Sequence, residues 1–177
     1  MTYVVLVNKK DKEIGREEKL KAHQEGKLHR AFSIFIFNKK GELLLQKRAE
    51  AKYHSGGLWS NACCSHPRPG FDLKGEAKKR LKEEMGIETC LKEVFSFIYK
   101  AKVGDLIEHE FDYVFVGKFD GEPKPDKSEA EDWKWLNEKD LKKDIKESPE
   151  KYTFWLKIIF NKHWSKIFES QKIYGEI

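Results

Sequence analysis

The run RAFSIFIFNKKGELLLQKR, residues 30 to 48, constrains the fold more than any other stretch of the chain. Two apolar segments flank Asn38 to Gly41, a turn sequence, so the run reads as two strands joined in a hairpin. A chain of 177 residues has the length to bury a core around such a hairpin, and one domain over residues 1–177 is expected.

The rest of the chain supplies further strands and a few helices. TYVVLVN reads as a β-branched strand, DKEIG as a turn and REEKLKAHQEGKLH as a polar connection. AEAKYHSGGLW reads as a loop, and SNACCSH is short enough for a small strand. From Asp72 to Met85 the spacing of Leu73, Ala77, Leu81 and Met85 predicts a helix, and Gly86 follows as its stop. Strands VFSFIYKAKV and LIEHEFDYVFVGKF come next, then a loop with two prolines, the strand WKWL, and helices from Glu138 onward interrupted at Ser148-Pro149. Such irregular alternation implies an α+β (α/β) fold with a mixed β-sheet flanked by helices.

Composition excludes several function classes. A 39% hydrophobic content with 13% aromatics provides core material, so the chain is not intrinsically disordered. The net charge of +5 comes from basic and acidic residues that intersperse, giving a general field that permits an anionic ligand. No basic stripe with interleaved aromatics appears, so nucleic acid is not an expected partner. Three cysteines cannot form a disulfide framework, and a reducing compartment fits them. The apolar run near the N-terminus has no basic region before it and meets charges at Lys9; neither a targeting segment nor a membrane span is expected, and the protein reads as cytoplasmic.

Candidate chemistry gathers in three places. In WSNACCSHP, strand alternation would put Cys64 and His66 on one face and Cys63 on the other. All three could equally be ordinary packing residues. In LIEHEFDYVFV the same parity separates an apolar face, Ile107, Phe111, Tyr113 and Phe115, from an acidic one, Glu108, Glu110 and Asp112. Carboxylates two apart suit a hard divalent cation, although a solvated acidic edge strand is the plainer alternative. His23 and His29 precede the first long strand, and with His66, Glu108 and Glu110 they could surround one metal. Mixed nitrogen and oxygen donors suit Mn²⁺, Zn²⁺ or Mg²⁺ better than Ca²⁺. On the predicted helix, Glu84 lies at the border of the buried stripe while Glu83 points outward.

The segments HRAFSIFIF, SGGLWSNACCSHP, EEMGI and EHE, in that order, resemble the type I isopentenyl-diphosphate isomerases, a branch of the Nudix superfamily. The likeness runs from about residue 3 to the C-terminal tryptophans. EEMGI ends like a Nudix box, but Lys79-Arg80 stand where that box has an Arg-Glu pair. The resemblance implies a Nudix-like sheet and conversion of isopentenyl diphosphate to dimethylallyl diphosphate through a tertiary carbocation. It implies Cys64 and Glu110 as catalytic groups, and Tyr99 and Trp155 as aromatics lining the reacting carbon chain. It further implies a tightly bound divalent metal on His23, His29, His66, Glu108 and Glu110, with Glu84 helping to hold the Mg²⁺ that accompanies the diphosphate. Lys19, Arg48, Lys52 and Arg80 would anchor that diphosphate, and the protein would act as a monomer on a small molecule. A Nudix pyrophosphohydrolase acting on a nucleoside diphosphate derivative is the alternative.

Overall fold

In a computed structural model the chain is described over residues 2–52 and 54–173. Tyr53, in the segment expected to be a loop, lies outside the described residues. The strands are β1 (Tyr3–Val7), β2 (Glu13–Glu18), β3 (His29–Phe37), β4 (Leu43–Arg48), β5 (Trp59–Asn61), β6 (Cys63–Ser65), β7 (Leu91–Val103), β8 (Leu106–Lys118) and β9 (Ala130–Leu136). The helices are α1 (Lys19–Glu25), α2 (Leu73–Met85), α3 (Glu138–Glu147) and α4 (Phe154–Ile173), with a short 3₁₀ turn at Pro149–Lys151. The sheet is mixed: β3 runs parallel to β8, and every other strand pairing is antiparallel.

β3 is the centre of the sheet. β8 covers one edge along its whole length, from His29 opposite Glu110 to Phe37 opposite Lys118. The other edge is shared by Leu6 of β1, residues Cys63 to Ser65 of β6 and Leu43 of β4. The expected hairpin forms at Asn38 to Gly41 but is short: β3 and β4 share a single pair, Phe37 with Leu43, and then part. β4 pairs instead with β5 and β9. Both strands are buried on both faces, so each needs partners and cover that a two-stranded ribbon cannot give.

Alternation along β3 and β8 feeds two cores. Phe32, Ile34, Ile36 and Phe115 pack under α2 with Ala77, Leu81 and Met85. Phe35, Phe37, Val114 and Val116 pack under α4 with Trp155, Leu156 and Ile159. α2 begins at Asp72, whose carboxylate accepts from the Gly75 amide at 2.6 Å. It ends at Gly86, with φ +67, the left-handed geometry that favours glycine at a helix end.

The polar connection expected before β3 is corrected, since it forms β2 and α1. The Glu18 side chain caps α1 by accepting from the Leu20 and Lys21 amides at 3.1 and 2.9 Å. This helix buries Ala22 and His23, not an apolar stripe, and so has no hydrophobic period to read. The predicted DKEIG turn sits earlier, at Lys9-Lys10, and Glu13 already belongs to β2. No helix among the described residues is long and apolar enough to cross a membrane.

Candidate active site and metal centre

One row across the sheet builds the heart of the site. Tyr99 on β7 faces Glu110 on β8, and Glu110 faces His29 on β3. A second pairing, Ser33 with Cys64, sets the cysteine on the same face of the sheet four residues along β3. Cys63 turns the other way into the core under α2. The acidic set on β8 also faces inward: Glu108, Glu110 and Asp112 are buried, whereas Ile107, Phe111 and Tyr113 are half-exposed. That inverts the plainer expectation of a solvated acidic edge, because β8 is an interior strand held between β3 and β7.

The histidines meet these carboxylates from α1, β3 and the end of β6. His66 Nε2 lies 2.9 Å from Glu110 Oε1, and His29 Nε2 lies 3.7 Å from the same oxygen. His23 Nε2 lies 3.4 Å from Glu108 Oε2. Both His23 and His29 are fully buried, and their Nδ1 atoms contact the carbonyls of Lys19 and Lys27 at 2.7 and 2.8 Å. A carbonyl only accepts, so each Nδ1 carries a hydrogen and each Nε2 is the ring atom turned toward the carboxylates. Glu108 Oε1 is buried without a hydrogen-bond partner, an arrangement that a divalent cation relieves. The donor atoms of His23, His29, His66 and Glu110 all lie within 4.8 Å of one another. Burial, together with the charge of Lys19, pushes His66 well below its ordinary value, in keeping with a neutral ligand. The residues present therefore fit a divalent metal.

A second donor group, His23, His54 and Glu108, shares His23 with the first. His54 was not singled out from the sequence. It sits in the glycine-flanked loop between β4 and β5, and a histidine beside two glycines was the available signal.

Glu110 has its two oxygens divided. Tyr99 Oη donates to Oε2 at 2.7 Å while the histidines face Oε1. Burial alone would raise this carboxyl, but His29 and the Tyr99 hydroxyl hold it down at about 2. Asp112, two residues on, is driven well up by burial and by the charge of Glu110, which outweigh its one hydrogen bond from Ser33. It accepts from Ser33 Oγ at 2.8 Å. Cys64 donates its thiol hydrogen to Asn61 Oδ1 at 3.0 Å. The amide orientation is settled because Asn61 Nδ2 donates to the carbonyls of Ile34 and Cys63, both at 3.1 Å. Burial, then the nearby Asp112, pushes the Cys64 thiol up to about 12. Asn61 and Ser33 lie inside the SGGLWSNACCSHP and HRAFSIFIF segments but had no role there, since their contacts appear only when β5, β6 and β3 meet.

A cavity of about 530 Å³ opens over these groups. It is lined by Cys64, His66, Tyr99, Glu108, Glu110 and Trp155, and also by Lys19, Arg48, Lys52, Arg80 and Glu84. His23 and His29 are fully buried behind the lining residues Glu108, Glu110 and His66 and do not line the cavity themselves. The Trp155 ring is oriented by Nε1 donating to Ser60 Oγ at 2.9 Å, and the Arg48 guanidinium stands 5.3 Å from the ring centre. Glu84 is buried, accepting from Gln46 Nε2 at 3.3 Å and from Arg80 Nη2 at 2.8 Å. Glu83 is exposed, as the helical angle suggested, yet it is not clear of the site: it accepts from Arg80 Nη1 at 2.8 Å and is among the residues lining the cavity. Glu129, at the foot of β9, had no place in the sequence reading. Its carboxylate binds both Lys52 and Arg80.

The fold and this site place the chain among NUDIX-domain proteins, and the NUDIX domain model matches residues 27–156. Solved structures agree on architecture: the Deinococcus radiodurans protein DR0079 superposes with a TM-score of 0.70 at 17% identity, over 82% of this chain and 90% of that one. A MutT protein from Methanosarcina mazei gives 0.60 at 18% identity, over 85% and 96%. Sequence relatives are more specific. Isopentenyl-diphosphate Delta-isomerase 1 of Aromatoleum aromaticum is 55% identical over 86% of this chain and 87% of its own length. Isopentenyl-diphosphate Delta-isomerase 2 of Photorhabdus laumondii is 54% identical over 89% and 90%. The chain belongs to the isopentenyl-diphosphate Delta-isomerase family of the NUDIX fold.

Proposed function

We propose that the protein moves the double bond of isopentenyl diphosphate to give dimethylallyl diphosphate, using Cys64 and Glu110 as its proton-exchanging pair. The observation that carries this reading is one cavity lined by a protonated thiol, a Tyr99-bound carboxylate and several basic side chains, Lys19, Arg48, Lys52 and Arg80 among them. Isomerisation needs a proton delivered to C4 and another taken from C2, through a tertiary cation at C3. In the resting site Cys64 holds a proton to give, and Glu110 is a bare carboxylate able to receive one. The indole face of Trp155 stabilises the cation without bonding to it.

Lys19, Arg48, Lys52 and Arg80 bind the diphosphate, and Glu84 takes part in holding the Mg²⁺ that accompanies it. Fixing the charged end places the apolar end against Cys64 and Glu110, which converts binding into orientation. His23, His29, His66, Glu108 and Glu110 would hold the tightly bound metal: Mn²⁺, Zn²⁺ or Mg²⁺. When bound, that cation supplies the positive charge that the buried carboxylates face. Three free thiols, Cys63, Cys64 and Cys90, fit a cytoplasmic enzyme, and we read it as a monomer.

Proton NMR of isopentenyl diphosphate incubated with the protein and Mg²⁺ tests the reading. Appearance of dimethylallyl methyl signals, with deuterium entering the product in D₂O, is the expected result. Phosphate release from nucleoside diphosphate derivatives, without allylic product, would replace it with the hydrolase alternative.

A further inference from the structure

His54 stands at the edge of the metal cluster, outside the five donors assigned above. Its Nε2 lies 3.0 Å from Glu108 Oε1, while the other oxygen of that carboxylate, Oε2, is the one facing His23. The far side of the imidazole, Nδ1, is 3.3 Å from the hydroxyl of Ser55. With the hydroxyl donating there, the ring hydrogen falls on Nε2, on the side of Glu108 Oε1, a buried oxygen that has no hydrogen-bond partner of good geometry. The ring is mostly buried and packs edge-on against Trp155 at 5.8 Å between centres.

The loop that carries His54 is built to a tight path. Ser55 takes φ +52, a left-handed conformation that is costly for a residue with a side chain. Gly56 passes so close to the Glu50 carbonyl that a Cβ there would come within 2.5 Å of its oxygen. The ends of the loop are closed by Gly57 N donating to Arg48 O and by Arg48 N donating to Leu58 O, both at 3.0 Å. Arg48 Nη2 donates to the His54 carbonyl at 3.3 Å. A backbone held this way fixes where the imidazole points.

We infer that His54 is a positioning residue of the metal centre: its Nε2, standing 3.0 Å from Oε1, confines that side of Glu108 and so turns Oε2 toward the metal and His23. Outer contacts of this kind orient a ligating group, and their loss typically lowers metal affinity about 10–100-fold. The inference rests on the metal-binding reading of the cluster. It also links two parts of the cavity, because the loop that fixes Glu108 is tied to Arg48, a proposed diphosphate anchor.

The test uses Mn²⁺ as the probe. Mn²⁺ affinity is measured by chelator competition for the full chain, for His54→Ala and for His54→Gln, whose amide restores an N–H donor. Pulsed electron paramagnetic resonance of the bound Mn²⁺ reports how many histidine nitrogens are coupled to it. The expected result is an affinity about 10–100-fold lower for His54→Ala, substantial recovery in His54→Gln, and the same nitrogen coupling in all three. Thermal melting of the metal-free proteins separates a folding defect from a metal effect. Equal affinity in His54→Ala overturns the inference and leaves the cluster intact. Loss of one coupled nitrogen in His54→Ala also overturns it, by making His54 a direct ligand. A wild-type chain that binds no Mn²⁺, Zn²⁺ or Mg²⁺ tightly overturns the cluster reading itself.

Discussion

Tyr99 and Glu110 face each other across β7 and β8, and the phenol donates to the carboxylate oxygen that the histidines leave over. Each oxygen of one carboxylate thus serves a different neighbour, one side toward the metal donors and the other toward the cavity.

Replacing Tyr99 with Phe removes the only proton donor to Glu110 Oε2 seen among the described residues. Hydrogen bonds to charged groups contribute about 1.5–3 kcal/mol, so kcat should drop by about 10–100-fold. KM should change little, because Tyr99 is not among the proposed diphosphate anchors. Steady-state kinetics showing a KM effect alone would move Tyr99 out of the proton-transfer apparatus.

The adjacent cysteines should separate cleanly. Cys64→Ala is expected to abolish isomerisation while leaving the melting temperature nearly unchanged. Cys63→Ala should keep most activity and lose about 1 kcal/mol of stability, since its side chain is fully buried beneath α2. Equal activity losses in the two variants would contradict the facing of β6.

Glu84→Gln should raise the Mg²⁺ concentration needed for half-maximal rate with little effect on folding. Glu83 is a poor control because it shares Arg80 with Glu84. Glu88, 72% exposed and paired with Lys82, is a better one. An identical Mg²⁺ response in Glu84→Gln and Glu88→Gln would reassign the diphosphate contact.

Acid stability should depend on Glu76. Hydrogen bonds from Arg68, at 2.7 Å to each oxygen, hold this buried carboxyl below its ordinary value. A depressed carboxyl stabilises the folded state above the unfolded value, about 4.3, and that contribution is lost as pH falls through the lower folded value. Arg68→Gln should therefore melt below wild type at pH 7, with the gap closing as pH drops beneath 4. A gap that stays constant with pH would mean the pair contributes through packing alone.

Much of the site was legible because strand parity needs no knowledge of partners. Cys64 with His66, and Glu108 with Glu110, follow from alternation alone, and Glu84 follows from the helical angle. What escaped depends on pairing between distant segments. Asn61 matters only because β5 turns its amide onto Ile34 and Cys63, and Glu129 only because β9 returns to lie beside Lys52 and Arg80. α1 escaped because its inward side chain is a histidine, and an apolar period is the signal by which helices are read. The parting of β3 and β4 escaped too, as a turn sequence specifies the reversal and not how far the strands stay together.

The parallel pairing of β3 with β8 joins opposite halves of the chain, and it carries His29 and Glu110 on facing positions. Contacts so distant in sequence form slowly, because a long loop must close before they reward it. A cation gripping both residues would act as a clasp on that loop and would be released only when the central pair opens. Metal loss and global unfolding would then share a rate-limiting event, and the loaded protein would resist denaturation chiefly by unfolding more slowly.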